Sequence, residues 1–272
     1  LKMKNVLITG VGGFIGSKVA EKFLNNGFTV YGIDDFSMGS RSKKIIEKIN
    51  FIEMDLSDKN KIENLPKNVD LILHLAGQSS GEISFDDPIK DLQKNVISTL
   101  NLIKYGVERN IEKFVYASSM SVYGNVEDIP IKESHSCNPL SCYGVGKYAA
   151  ENYLKIYSTK LPYVSLRMFN VYGPGQDMNN MRQGMVSIYL SQLLSKNKIE
   201  VKGSIERFRD FIHINDVVDI WWEVSVRNDI FNKTLNVGTG KKTKVKELLE
   251  IMKKLFPGSS YFQSDPTPGD QN

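Results

Sequence analysis

Apolar residues along this chain come in short unbroken runs, at residues 6–9, 28–33, 51–54, 71–75, 114–117 and 163–169. Strands buried on both faces read this way, because neither side of the pleat meets water. Between the runs lie segments with helical spacing, at 14–25, 42–48, 88–109 and 141–157. Strand and helix in strict alternation predict a parallel sheet covered by helices on both faces. Past residue 170 the rhythm changes. Pro174 and Gly175 break it. A helix is expected over 187–195, and a second carries Trp221 and Trp222 with Asp216 as its cap. A Lys-rich amphipathic helix ends near Leu255.

The fold class that follows is α/β: a doubly wound Rossmann parallel sheet with a smaller C-terminal α/β substrate-binding domain. Residues 1–170 are expected to form the doubly wound domain. Residues 171–272 are expected to form mainly the substrate region, with segments packing back on the first domain. In such sheets ligands bind beyond the carboxyl ends of the strands. Met3 reads as the natural start of the chain.

Composition narrows the function classes. Of 272 residues, 41% are hydrophobic and 24% charged, ordinary for a globular protein able to build a sizeable core. The net charge of +4 is mild and no long basic block occurs, which argues against nucleic acid as a partner. The two cysteines, Cys137 and Cys142, make no disulfide framework. His74, His135 and His213 lack metal-ligand spacing, so no metal site is expected. No apolar run is long enough to span a membrane, and the first residues form no signal-peptide pattern. The expected location is therefore the cytoplasm.

Chemistry begins at Thr9-Gly10-Val11-Gly12-Gly13-Phe14-Ile15-Gly16, between the first strand and the first helix. Glycines let the backbone turn sharply and approach a phosphate closely, and the helix start presents free N–H groups to it. The spacing is G-x-x-G-x-x-G, not G-x-G-x-x-G. A tight strand–helix connection with no ligand would look the same. The second strand ends in Asp34-Asp35-Phe36-Ser37, at roughly the distance expected of an acid that bonds the adenosine ribose. A carboxylate there repels a 2′-phosphate, so NAD is favoured over NADP; Arg41, in the following loop, is the residue that could serve a 2′-phosphate. Asp55 ends the third strand, and Leu75-Ala76-Gly77 ends the fourth with small residues.

The fifth strand leads into Ser119, and Tyr143 and Lys147 stand at i and i+4 on the next helix. A free tyrosine has a pKa near 10 and is a poor base at neutral pH. A nearby ammonium favours the phenolate. Tyr143 could then take a proton from a substrate hydroxyl held by Ser119 while hydride leaves the same carbon. A base of this kind contributes roughly 10²–10⁴-fold. An exposed Tyr/Lys pair on a helix is the ordinary alternative.

Taken together, these motifs resemble the extended short-chain dehydrogenases/reductases, in particular the NAD-dependent nucleotide-sugar epimerase/dehydratase group, close in pattern to UDP-glucose 4-epimerases. The similarity runs from about Lys4 to the C-terminus. It implies a bound NAD contacted by Gly10, Gly13, Phe14, Ile15, Asp34, Asp35, Phe36, Ser37, Asp55, Leu56, Leu75, Ala76, Gly77, Asn95, Tyr143 and Lys147. It implies Ser119, Tyr143 and Lys147 as catalytic residues, and Ser119, Tyr143, Asn170, Val186 and Arg209 against a nucleotide-sugar substrate. A homodimer through the helices at 88–109 and 141–157 is implied as well.

Three departures matter. Dehydratases of the group carry Asp-Glu where this chain has Met120-Ser121, so loss of water or CO₂ is disfavoured and epimerisation through a transient ketone is favoured. Cys142 and Gly146 replace a usual proline and serine. The substrate-binding arginine that relatives place after Pro-Gly-Asp is not seen after Asp270. The reading is C4 epimerisation of a UDP-hexose. The alternatives are a nucleotide-sugar reductase or dehydrogenase with net NAD(P)H turnover, and a non-catalytic dinucleotide-sensing module.

Overall fold

The structure, a computed structural model, describes residues 4–37, 43–126 and 129–269. Met3, Arg41 and Asp270 lie outside the described residues. In chain order the elements are β1 (Asn5–Thr9), α1 (Phe14–Asn25), β2 (Thr29–Asp34), α2 (Lys43–Ile46), β3 (Asn50–Glu53), β4 (Leu71–His74), α3 (Pro88–Leu92), α4 (Ser98–Glu108), β5 (Lys113–Ser119), α5 (Cys142–Tyr157) and β6 (Tyr163–Met168). There follow β7 (Asn170–Tyr172), α6 (Met185–Lys196), β8 (Lys198–Lys202), β9 (Phe208–Arg209), β10 (Phe211–His213), α7 (Ile214–Val226), β11 (Lys233–Val237), β12 (Thr243–Lys244), α8 (Val245–Leu255) and β13 (Ser260–Ser264).

Seven strands form one parallel sheet in the order β11-β6-β5-β4-β1-β2-β3. Its two faces are buried differently. One packs Val6, Ile8, Val115 and Val164 against α1 and α7, with Trp221 and Phe23 at the centre. The other packs Leu7, Ile72, Phe114 and Tyr116 against α4 and α5. This two-sided burial is why the strands read as unbroken apolar runs. A third cluster, around Tyr189, Leu193, Val201 and Leu249, makes the small second lobe from α6, β8 and α8.

Several expectations change. The helix expected over 88–109 is interrupted by a π-turn, Gln93–Ile97, between α3 and α4. Asp216 does not cap α7; His213 does, accepting from the Asn215 N–H at 3.3 Å, and Asp216 lies in the first turn. The seventh strand, β11, is an addition to the six expected ones. It lies beyond residue 170 and pairs in parallel with β6. Lys113, at the start of β5, is buried; its Nζ donates to the carbonyls of Val224 (2.9 Å) and Arg227 (2.5 Å), where α7 ends. No helix among the described residues is long and apolar enough to cross a membrane.

Candidate active site

The carboxyl ends of β1, β2, β4, β5 and β6 open into one cavity of about 1110 Å³, closed on its other side by the segment 175–186 and β8. Single small-molecule sites usually span roughly 300–1,000 Å³, so this cavity is at the large end of that range. Gly10, Gly13, Phe14, Ile15, Asp34, Asp35, Ser37, Asp55, Leu56, Leu75, Ala76, Gly77, Ser119, Tyr143, Lys147, Asn170, Val186 and Arg209 all line it. Of the remaining expected contacts, the Phe36 ring packs on Phe51, with centroids 5.5 Å apart, and Asn95 is buried behind Gly77.

The glycine turn is shaped by two close approaches. Gly10 has φ +74°, and a Cβ there would meet the Ala76 N at 2.8 Å. A Cβ on Gly16 would lie 2.0 Å from the Gly10 carbonyl oxygen. Both glycines thus hold β1, α1 and the end of β4 in contact. Helix α1 starts after Gly13 with no capping side chain, so its first N–H groups reach the cavity wall unclaimed by the protein. That geometry fits a pyrophosphate.

At the end of β2, Asp34 accepts from the Gly12 N–H (2.8 Å, Oδ2) and the Phe36 N–H (2.8 Å, Oδ1). Burial pushes its carboxyl above the ordinary value, against the pull of those two N–H groups. Asp35 and Asp55 are held together by a residue the sequence did not single out. Lys94 Nζ lies 2.5 Å from Asp35 and 2.8 Å from Asp55. Burial works against both carboxylates, but Lys94 outweighs it and holds them below the usual range. Lys94 lies within the π-turn, and no spacing rule announces a π-turn.

A buried hydrogen-bond chain runs from the end of β1 to Asn95. Thr9 Oγ1 accepts from the Leu75 N–H (3.1 Å) and Ala76 N–H (3.0 Å), so its own hydrogen goes to His74 Nδ1 at 2.8 Å. The ring then carries its hydrogen on Nε2, toward Thr99 Oγ1 at 3.0 Å, which in turn donates to the Asn95 carbonyl at 2.7 Å. Burial, with Lys147 adding to it, lowers the His74 pKa to about 3.

Ser119 ends β5, and its Oγ accepts from the Ser121 N–H at 3.2 Å. Tyr143 enters from the first turn of α5, whose cap is Ser141 accepting from the Gly144 N–H at 3.1 Å. Lys147 Nζ sits 5.6 Å from the Tyr143 ring centre and 5.1 Å from that of Tyr116. The expectation that Lys147 lowers the Tyr143 pKa is not met in the protein alone. Burial pushes Tyr143 up to about 12, opposed by the Ser119 hydrogen bond, and burial pushes Lys147 down to about 8. Both side chains are almost fully enclosed, and desolvation is the larger effect on each.

One more turn along α5, Glu151 bonds Ser118 Oγ at 2.5 Å and takes a two-pronged ion pair from Arg167 of β6, at 2.9 and 2.6 Å. The face carrying Tyr143 and Lys147 is thereby pinned to β5 and β6. Asn170 Nδ2 lies 3.3 Å from the Asp210 carbonyl and 3.5 Å from Met120 Sδ, and Arg209 Nη1 donates to the Phe208 carbonyl at 2.7 Å. The cavity's roof is tied down by Arg182, which reaches Glu82 (3.1 Å) and Asp86 (2.6 Å), and by Gln183 donating to Ser79 Oγ at 2.7 Å. Among the described residues, no group of three or more His, Cys, Asp or Glu could hold a metal ion.

Residues 6–238 match the NAD dependent epimerase/dehydratase family. The UDP-glucose 4-epimerase of Mycolicibacterium smegmatis is 34% identical over 250 residues, covering 89% of this chain and 79% of that protein. The crystal structure of the Thermotoga maritima UDP-glucose 4-epimerase with UDP-glucose superposes with a TM-score of 0.90 at 30% identity, over 98% of this chain and 88% of that one. Relatives of other activity match as well: UDP-glucuronic acid decarboxylase 1 of Danio rerio is 30% identical, over 98% of this chain and 64% of its own length.

Proposed function

Because the chain belongs to the NAD-dependent epimerase/dehydratase family, we propose that it is a nucleotide-sugar 4-epimerase acting on a UDP-hexose. The observation that carries this choice within the family is the pair Met120-Ser121 beside Ser119. Both residues line the cavity where elimination or decarboxylation chemistry would use acidic side chains. Ser119, Tyr143 and Lys147 suffice for moving one proton to and from a hydroxyl oxygen. The M. smegmatis and T. maritima epimerases support the substrate class.

In this reading the α1 N-terminus and the glycine turn hold the cofactor's pyrophosphate, and Asp34 holds its adenosine ribose. When bound, NAD supplies hydride uptake and return at the substrate carbon, and a positive charge near Tyr143. The protein's own part is proton handling. Tyr143 Oη takes the C4 hydroxyl proton, Ser119 Oγ holds that oxygen, and Lys147 stabilises the phenolate. The 4-keto sugar turns over inside the cavity, which would present the other face of C4 to the returning hydride, and Tyr143 gives the proton back to the C4 oxygen. Arg209 supplies a guanidinium for the substrate diphosphate. A second copy of the chain would cover the apolar side chains exposed on the α3–α4 and α5 faces, among them Ile89, Leu92 and Ile156.

The test is incubation with UDP-, GDP-, CDP- and dTDP-hexoses without added cofactor, followed by sugar analysis. Interconversion of the UDP-hexose C4 epimers is expected. Dependence on stoichiometric NAD(P)H would identify a reductase instead. Tight NAD binding with no turnover on any sugar would identify a sensing module.

A further inference from the structure

Asp91 has no part in the site as described so far. It sits on α3 just before the π-turn and is 2% exposed. An ionised carboxylate this deep needs partners. Its hydrogen-bond partners are two amides: Gln78 Nε2 at 2.9 Å and Asn95 Nδ2 at 3.0 Å, both on Oδ1. Gln78 is itself fixed, since its Nε2 also donates to the Ser80 carbonyl at 2.7 Å and its Oε1 accepts from the Ser80 N–H.

These partners have a directional consequence. A carboxylate only accepts, so it orients the Asn95 amide with Nδ2 toward itself and Oδ1 away. Oδ1 is buried and has no hydrogen-bond partner among the described residues. It lies where a side chain on Gly77 would be: a Cβ there would meet Asn95 Oδ1 at 2.5 Å and Lys147 Nζ at 3.5 Å. An acceptor and an ammonium thus converge on one spot at the cavity wall. The second carboxylate oxygen, Oδ2, faces Gly146, the residue before Lys147; a Cβ there would be 3.4 Å away. Glycine leaves that oxygen without a side chain at this position.

We propose that Asp91 is a positioning residue for Tyr143 and Lys147: it locks the Asn95 amide with Oδ1 toward Lys147 and supplies the buried negative charge that keeps the Lys147 side chain an ammonium. The charges around the pair agree with this assignment. Lys147 faces Tyr143 on its own helix, Tyr116 on β5, neutral His74 on β4, and Asp91 on α3. Asp91 is the anion that offsets the burial of Lys147. Asp91 also borders a side cavity of about 220 Å³ with Asp86, Asp87 and Lys90, whose net charge is negative. The inference rests on reading Tyr143 and Lys147 as the acid/base pair, but its test needs no turnover, so the two can fail separately.

The test is the pH dependence of Lys147 carbamylation by cyanate, read by peptide mass spectrometry on the free protein with exposed lysines as internal standards. Only the neutral amine reacts. Asp91→Asn keeps the shape and removes the charge. Its Lys147 labelling midpoint is expected to move to lower pH, with faster labelling at pH 7 and an unchanged rate at high pH. Asp91→Ser, which leaves room for water, carries the same expectation should the first variant fold poorly. Gln78→Met removes a hydrogen bond and not the charge, and is expected to leave the midpoint in place. An unmoved midpoint in either Asp91 variant, or an equal shift in Gln78→Met, overturns the proposal.

Discussion

Acid should weaken this protein through one buried imidazole, and the size of the effect can be worked out. His74 is fully buried between β1 and α4, and its ring nitrogens are committed to Thr9 and Thr99. Its pKa falls from an ordinary 6.5 to about 3, because burial, aided by Lys147, disfavours the charged ring. The sign follows from proton counting. Below pH 6.5 the unfolded chain binds a proton at this residue and the folded chain does not, so stability present above 6.5 is lost as the pH falls toward 3. At pH 5 the solution is about 1.5 units below the unfolded value, and each unit is worth about 1.36 kcal/mol. The expected loss from His74 alone is therefore ~2 kcal/mol between pH 7 and pH 5. The assay is urea unfolding at both values, for the parent and for His74→Gln. The buried carboxyls Asp34 and Asp91, whose values are raised, contribute with the opposite sign. They are common to both proteins and cancel in the difference. The variant should be less stable at pH 7 yet lack the parent's extra acid loss. Equal pH sensitivity in the two proteins would show that His74 takes up its proton in the folded state and that the Thr9–His74–Thr99 chain is not held as described.

Tyr143→Phe removes the proposed base while Ser119 keeps its Ser121 partner; turnover should fall roughly 10²–10⁴-fold with thermal stability nearly unchanged, and retained C4 interconversion would refute the mechanism. Arg167→Ala strands Glu151 as an uncompensated buried charge, and denaturant unfolding should show a loss of about 3–5 kcal/mol. Gly16→Ala puts a methyl group 2.0 Å from the Gly10 carbonyl, so the turn must shift; calorimetric titration should show weaker NAD binding and a stability loss of about 1–3 kcal/mol. Lys94→Met frees Asp35 and Asp55 to repel each other and any nearby phosphate, and the same titration should show weaker NAD binding with the fold intact.

The local pattern of the sequence determined a good deal. Runs such as Val6-Leu7-Ile8 announce strands buried on two faces, and the sheet observed is parallel and covered on both sides. The glycine turn, the acid ending β2, and the i, i+4 pair Tyr143 and Lys147 follow from short-range rules of turns and helices, and their side chains line one cavity. What escaped was set by long-range packing. Asp91 and Lys94 were not singled out, because their partners Gln78, Asp35 and Asp55 come from distant parts of the chain and no local spacing links them. Glu151 and Arg167 meet only because α5 crosses behind β5 and β6. The strength of the base was decided by tertiary structure too. Spacing places an ammonium near the phenol of Tyr143, but the degree of burial, which no spacing records, makes desolvation the larger effect on both groups.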